Sequence, residues 1–413
     1  MKNEKQLFRF TTIGSVDNGK STLIGRLLHD SKAIYKNQYE ELENLKSLWH
    51  NDQVNLAHLT DGLKREREEG ITIDVAYRYF STPKRKFIIS DSPGHLEYTR
   101  NMVTGSSNAN AAVILIDAAN GLDEQTKRHT IISSLLRIPH IIVCVNKMDK
   151  VGFKRQRFEE IRQDYESFSS KLQFSDVRFI PISALNGDNI VSKSQKMPWY
   201  DGTTLMYTLE NMYFSGDKDL VNCRFPIQTI IQNNEGKYLS GTVAGGIFKK
   251  GDKVLVLPQE KTSTITRISL FDKEYVEAIP MQSVTMELAD DIEIKRGDLI
   301  ARPNNKPTVS TDIDAMICWF DDNKELEIGN DYIFFSLANE SICKISSILY
   351  KLNIETLHRD LDFGKIEAND IARIQIKTTS NVLYDSYSKN RKMGSFILID
   401  KTTNNTVAAG MIR

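Results

Sequence analysis

At 413 residues the chain is too long for one hydrophobic core, so two or three domains are expected, each able to bury its own apolar surface. Lysine and arginine together number 54, as do aspartate and glutamate. This neutrality argues against a general nucleic-acid or membrane binder, which usually carries a basic patch large enough to move the total.

The polar start Met1-Lys2-Asn3-Glu4-Lys5-Gln6 contains no apolar signal core, and no later run approaches the length of a membrane span. A soluble, cytoplasmic protein is expected. Cys144, Cys223, Cys318 and Cys343 are widely spaced without a Cys-x-x-Cys pair, which reads as reduced, mostly buried thiols. Phe8-Arg9-Phe10-Thr11-Thr12-Ile13 alternates like a strand, and Thr22-Leu23-Ile24-Gly25-Arg26-Leu27-Leu28 has helical apolar spacing. Between them Gly14-Ser15-Val16-Asp17-Asn18-Gly19-Lys20-Ser21 fits a phosphate-binding loop. Its glycines let successive N–H groups turn inward on a polyphosphate, and the helix opening at Lys20 adds its positive dipole end. Lys20 can reach the outer phosphates, while the Ser21 hydroxyl can sit on Mg²⁺, with Thr22 beside it.

Residues 29 to 69 are polar and helix-prone, ending in Lys64-Arg65-Glu66-Arg67-Glu68-Glu69-Gly70, a pattern equally suited to a plain solvated helix face. A strand is expected from Gly70 to Phe80, with Thr72 at its entrance able to ligate Mg²⁺ opposite Ser21. A charged segment ending in that threonine could be ordered by a γ-phosphate and released on its loss. The next strand, Lys86 to Asp91, runs into Ser92-Pro93-Gly94-His95. After a phosphate loop, this turn looks like the place where Asp91 holds Mg²⁺ through water, the Gly94 N–H contacts the γ-phosphate and His95 stands beside it.

Ala111–Asp117 and Ile141–Val145 are continuous apolar runs, expected as parallel strands buried on both faces, with a helix from about Glu124 to Arg137 between them. The second run ends in Asn146-Lys147-Met148-Asp149. The Asp149 carboxylate matches the two donors on guanine's edge, whereas adenine would leave it unpaired. Asn146 would brace the loop, and the Lys147 stem would cover the base plane. Ser183-Ala184-Leu185, after a strand at Phe179–Ile182, could offer the base oxygen the Ala184 N–H.

The fold expected is an α/β P-loop GTPase domain over residues 1–214 and a linker at 215–223, followed by two small antiparallel β-barrels over 224–305 and 306–413. Turns at Gly245-Gly246, Lys250-Gly251-Asp252 and Arg296-Gly297-Asp298 punctuate the first barrel, and Asn304-Asn305-Lys306-Pro307 separates the two.

With these segments in order the whole chain resembles the translation-factor class of GTPases, and within it the family of large, GTP-binding subunits of bacterial sulfate adenylyltransferase. The resemblance rests on Gly14-Ser15-Val16-Asp17, His29-Asp30 with Ile34-Tyr35, Asp74 to Phe80, and Lys84-Arg85-Lys86-Phe87-Ile88-Ile89. It continues through Tyr98-Thr99-Arg100-Asn101-Met102 and Arg224-Phe225-Pro226; Asn18 and Ser92 stand where members often carry Asp or Thr. It implies GTP and Mg²⁺ as cofactors, Ser21, Thr72 and Asp91 around the metal, and Lys20 and the loop amides neutralising phosphate charge. His95 would orient the attacking water between Val16 and Ile71. A small catalytic partner subunit would transfer AMP from ATP to sulfate, with no nucleic acid or membrane involved. Some members continue into a kinase domain; this chain shows no second phosphate loop, so that activity is expected to be missing. The same motifs, with Met197-Pro198-Trp199, also suit a factor bringing aminoacyl-tRNA to ribosomes, or a regulatory GTPase whose barrels serve only for docking.

Overall fold

The computed structural model describes residues 5–31, 72–214, 219–233, 236–271, 273–337 and 339–413. The charged stretch from Lys64 to Gly70, together with Ile34, Tyr35 and Ile71, lies outside the described residues. By internal contacts the chain forms two units, Met1–Phe214 with Asn353–His358, and Ser215–Leu352 with Arg359–Arg413.

Among the described residues the first unit is built on six strands: β1 (Leu7–Ile13), β2 (Ala76–Ser81), β3 (Lys86–Asp91), β4 (Ala111–Asp117), β5 (His140–Asn146) and β6 (Asp176–Pro181). They lie in the order β2-β3-β1-β4-β5-β6, parallel throughout except for the β2–β3 hairpin. β4 is buried at every position, as its uninterrupted apolar run requires of a strand covered on both faces. The helices are α1 (Lys20–Asp30), α2 (Thr99–Ser106), α3 (Glu124–Leu135), α4 (Arg155–Ser169) and α5 (Leu205–Asn211). The strand expected from Gly70 begins only at Ala76, so Thr72 lies ahead of it, not on the ladder.

Phe8, Phe10, Phe80 and Phe87 form an aromatic core beneath α1. Arg85 enters this core because it has work at the carboxyl end of α5: its two terminal nitrogens donate to the Leu209 and Met212 carbonyls at 2.9 and 2.6 Å. Its guanidinium also lies over Phe8 and Phe214.

The second unit holds two closed rings of antiparallel strands. The first contains β7 (Arg224–Asn233), β8 (Gly236–Thr242), β9 (Lys253–Leu257), β10 (Lys261–Leu270), β11 (Ser283–Leu288) and β12 (Leu299–Ala301), ordered β9-β12-β7-β8-β11-β10 and closed by β9 against β10. The other contains β13 (Thr308–Trp319), β14 (Asp331–Ser336), β15 (Glu340–Leu352), β16 (Ile371–Tyr384), β17 (Ser395–Asp400) and β18 (Thr406–Ile412). Its order is β14-β17-β18-β13-β16-β15, closed by β14 against β15. Each ring surrounds its own apolar cluster, and a smaller cluster of Leu255, Leu257, Leu299, Ala301, Leu383 and Met393 joins them. All four cysteines are buried and outside any disulfide. Among the described residues no helix is long and apolar enough to cross a membrane.

Candidate nucleotide site

In a largely parallel sheet the crevice outside the carboxyl ends of the strands is where ligands settle. Here the segments after β1, β3 and β5, together with that after β6, meet at this end. The loop after β1 is held open by backbone geometry. Gly14 and Gly19 have φ of 151° and 91°, and Asp17 also lies at positive φ. A Cβ on Gly14 would meet the Leu115 carbonyl oxygen at 2.7 Å, and one on Gly19 would meet Asn146 Nδ2 at 2.5 Å. Both positions therefore need glycine for conformation and for room.

Asn18 and Lys20 tie this loop down. Asn18 Nδ2 donates to the Leu115 carbonyl at 2.9 Å. The Lys20 ammonium donates to the Gly14 and Ser15 carbonyls at 3.0 and 2.9 Å, and burial lowers its pKa to about 8. Val16, Ser21 and Thr22 are half-buried at its rim.

The segment after β3 crosses directly over the loop. A Cβ on Gly94 would stand 2.4 Å from Lys20 Nζ and 2.6 Å from the Gly14 carbonyl oxygen. Asp91 is 1% exposed and accepts from Thr12 Oγ1 at 3.2 Å. Thr11 Oγ1 lies 2.9 Å from Ser92 Oγ and 3.3 Å from Ser106 Oγ, so hydroxyls join β1, this segment and α2. Pro93 is buried. His95 is exposed, and its Nδ1 accepts from the Glu97 N–H at 3.4 Å.

Asn146 joins three loops into one wall. Its Nδ2 donates to the Asn18 carbonyl at 2.8 Å, and its Oδ1 accepts the Ala184 N–H at 2.9 Å. The Ala184 amide expected for a base oxygen is thus engaged by Asn146 in this structure. Ser183 Oγ donates to Asp149 Oδ1 at 2.5 Å, which aims the half-buried carboxylate. Lys147 sits at φ 61°, ψ 36° and pairs with Asp117 at 2.8 Å; Met148 is fully buried and Leu185 exposed. Arg26 of α1 donates to the Ala184 and Leu185 carbonyls, so the helix that begins under the phosphate loop also carries the base loop.

The structure therefore gathers the residues predicted after β1, β3, β5 and β6, with Thr72 half-buried ahead of β2. Thr12, Arg26 and Asp117 were not singled out from the sequence. Thr12 had a local signal, as a polar residue two positions before the first glycine. Ser21, Thr72 and Asp91 are hard oxygen donors of the kind Mg²⁺ takes, and the glycine-lined cradle that any Cβ would fill fits a polyphosphate.

Comparison with known proteins identifies the family of both parts of the chain. The elongation factor Tu GTP binding domain family matches residues 5–223, and the GTP-eEF1A C-terminal domain-like family matches residues 312–413. Sulfate adenylyltransferase subunit 1 of Bacteroides fragilis is 47% identical over 413 residues, covering 99% of this chain and 86% of that protein. The protein of the same name from Francisella tularensis is 48% identical over 417 residues, covering 100% of this chain and 87% of its own. Bifunctional enzyme CysN/CysC of Mycobacterium tuberculosis is 48% identical over 411 residues, covering 98% of this chain and 67% of that protein.

Proposed function

The chain belongs to the sulfate adenylyltransferase subunit 1 family, with a GTP-binding domain of the elongation factor Tu class, and from that premise we propose that its GTP hydrolysis drives adenylyl transfer by a small catalytic partner subunit. The partner moves AMP from ATP to sulfate, releasing pyrophosphate and adenylyl sulfate. Because that transfer is uphill, a second nucleotide's hydrolysis is a fitting drive.

The observation that carries the nucleotide-site assignment is Asn146, whose one side chain fastens the phosphate loop at Asn18 and the base loop at Ala184. A pocket braced in this way holds phosphate and base groups at a fixed separation. Asp149, aimed by Ser183, accepts the paired donors of guanine's edge. Lys20 and the amides of residues 14–22 stabilise charge that develops on the phosphates. Ser21, Thr72 and Asp91 would hold Mg²⁺, which when bound neutralises phosphate charge. His95 orients the attacking water, and the Gly94 N–H meets the outermost phosphate.

The domain limits that accompany this reading are 1–214 for the GTPase domain, 215–223 for the linker, and 224–305 and 306–413 for the barrels. The starts of β7 at Arg224 and β13 at Thr308 support them. The assembly works in the cytoplasm, with the small subunit as partner and without nucleic acid or membrane. Reconstituting the chain with its small partner and measuring GTP consumed per adenylyl sulfate formed tests the reading. Equal adenylyl sulfate yield with and without GTP would contradict it, and tight GTP-dependent tRNA binding would favour the elongation-factor alternative.

A further inference from the structure

Asp117 has no part in the chemistry above, yet it closes β4 opposite Asn146 of β5. It is 4% exposed, and a carboxylate so placed must satisfy both oxygens. Oδ1 accepts the Ala119 N–H at 2.8 Å, and Oδ2 accepts from the Lys147 ammonium at 2.8 Å. The turn that carries it is pinned from two directions. The Ala118 N–H donates to the Asn146 carbonyl at 2.8 Å, and Arg157 of α4 donates to the Ala118 and Ala119 carbonyls at 2.7 and 3.3 Å. Lys147, for its part, occupies a left-handed conformation that a side-chain-bearing residue keeps only where its surroundings over-determine it.

We propose that Asp117 is a positioning residue for guanine nucleotides: by anchoring the Lys147 ammonium, it fixes the course of the lysine stem that is to lie against the base. The proposal rests on the base-reading assignment of Asn146 to Asp149. A free lysine has several rotatable bonds to order when a base arrives; an anchored one has already lost that freedom. Removing the anchor should therefore speed release without changing which base edge is preferred, because the stem meets the ring face and Asp149 meets the edge.

The test measures release of ribose-labelled fluorescent GDP from the full chain carrying Asp117→Asn, Lys147→Ala, or both. Asp117→Asn keeps an acceptor for the Ala119 N–H and removes only the charge. Each single change should raise the release rate about tenfold, and the double change no further than either alone, since contacting residues are not additive. The labelled inosine diphosphate should speed up by the same factor. Should Asp117→Asn fold poorly, Lys147→Met keeps an apolar stem without its anchor and should also release faster. Normal release from Asp117→Asn, even with a lowered melting temperature, would reduce Asp117 to a structural residue, as would a double mutant equal to the product of the singles. Normal release from Lys147→Ala, or no binding by the unaltered chain, would instead overturn the base-reading assignment itself.

Discussion

Arg224, on the first strand of one barrel, meets Asp385 just past β16 of the other through two parallel bonds, Nε to Oδ2 at 2.7 Å and Nη2 to Oδ1 at 2.9 Å. The guanidinium also donates to the Cys223 and Asn305 carbonyls at 2.9 and 2.7 Å, and the arginine is 1% exposed. Nearly all its donors are thus spent inside one interface, in the fork geometry only arginine offers.

Truncating the acceptor would strand that buried charge. Asp385→Ala should cost about 3–5 kcal/mol in urea unfolding of the second unit, the usual cost of breaking a buried pair from one side. Replacing both partners, Arg224→Met with Asp385→Leu, should cost clearly less. Equal losses would show that the pair is not what joins the barrels.

Asn146→Ala should weaken GTP and GDP alike, since it frees the Asn18 carbonyl and the Ala184 N–H together. Each buried group left unpaired costs about 1–3 kcal/mol, so a rise in the dissociation constant of tenfold or more is expected by titration calorimetry. An unchanged constant would mean the two loops hold their spacing without it.

The Lys20 ammonium gives a pH signature. Burial lowers its pKa from 10.5 to about 8. Between those values the unfolded chain binds the extra proton, so the nucleotide-free protein should gain stability as pH rises through that window. Nucleotide binding runs the other way, because phosphate oxygens need the charged form. GTP affinity should fall as pH climbs above about 8, with proton uptake detectable in buffers of differing ionisation enthalpy. Lys20→Ala should bind weakly and without that slope; a slope that survives the substitution assigns it elsewhere.

His95→Ala should slow GTP hydrolysis by about a hundredfold, the lower range for a group that positions or deprotonates water, while GTP stays bound. Single-turnover phosphate release reads the first and equilibrium binding the second. A normal hydrolysis rate would remove His95 from the mechanism.

What could be read from the sequence was local. β3 and β4 span the predicted runs Lys86–Asp91 and Ala111–Asp117, because a buried strand advertises itself in six or seven consecutive residues. The phosphate loop was legible because its glycines, lysine and serine are contiguous. The Asn146 bond to Asn18 spans 128 positions and Arg224–Asp385 spans 161, and no periodicity marks such partners. Nothing in Lys84-Arg85-Lys86 marks Arg85 for burial, which follows because α5, over a hundred residues later, brings its unpaired carbonyls there. The early start assigned to β2 failed for a related reason: alternation before Ala76 resembles a strand, but the β2–β3 ladder starts only at Ala76, opposite Asp91.

Both rings close on themselves, so among the described residues every long barrel strand has a neighbour on each side. An open sheet offers unsatisfied amides and carbonyls on which strands of other molecules can grow; a closed one offers no such template. Each closed ring is therefore guarded against amyloid-type association. Among the described residues the largest sheet with open edges is the six-stranded one, bounded by β2 and β6.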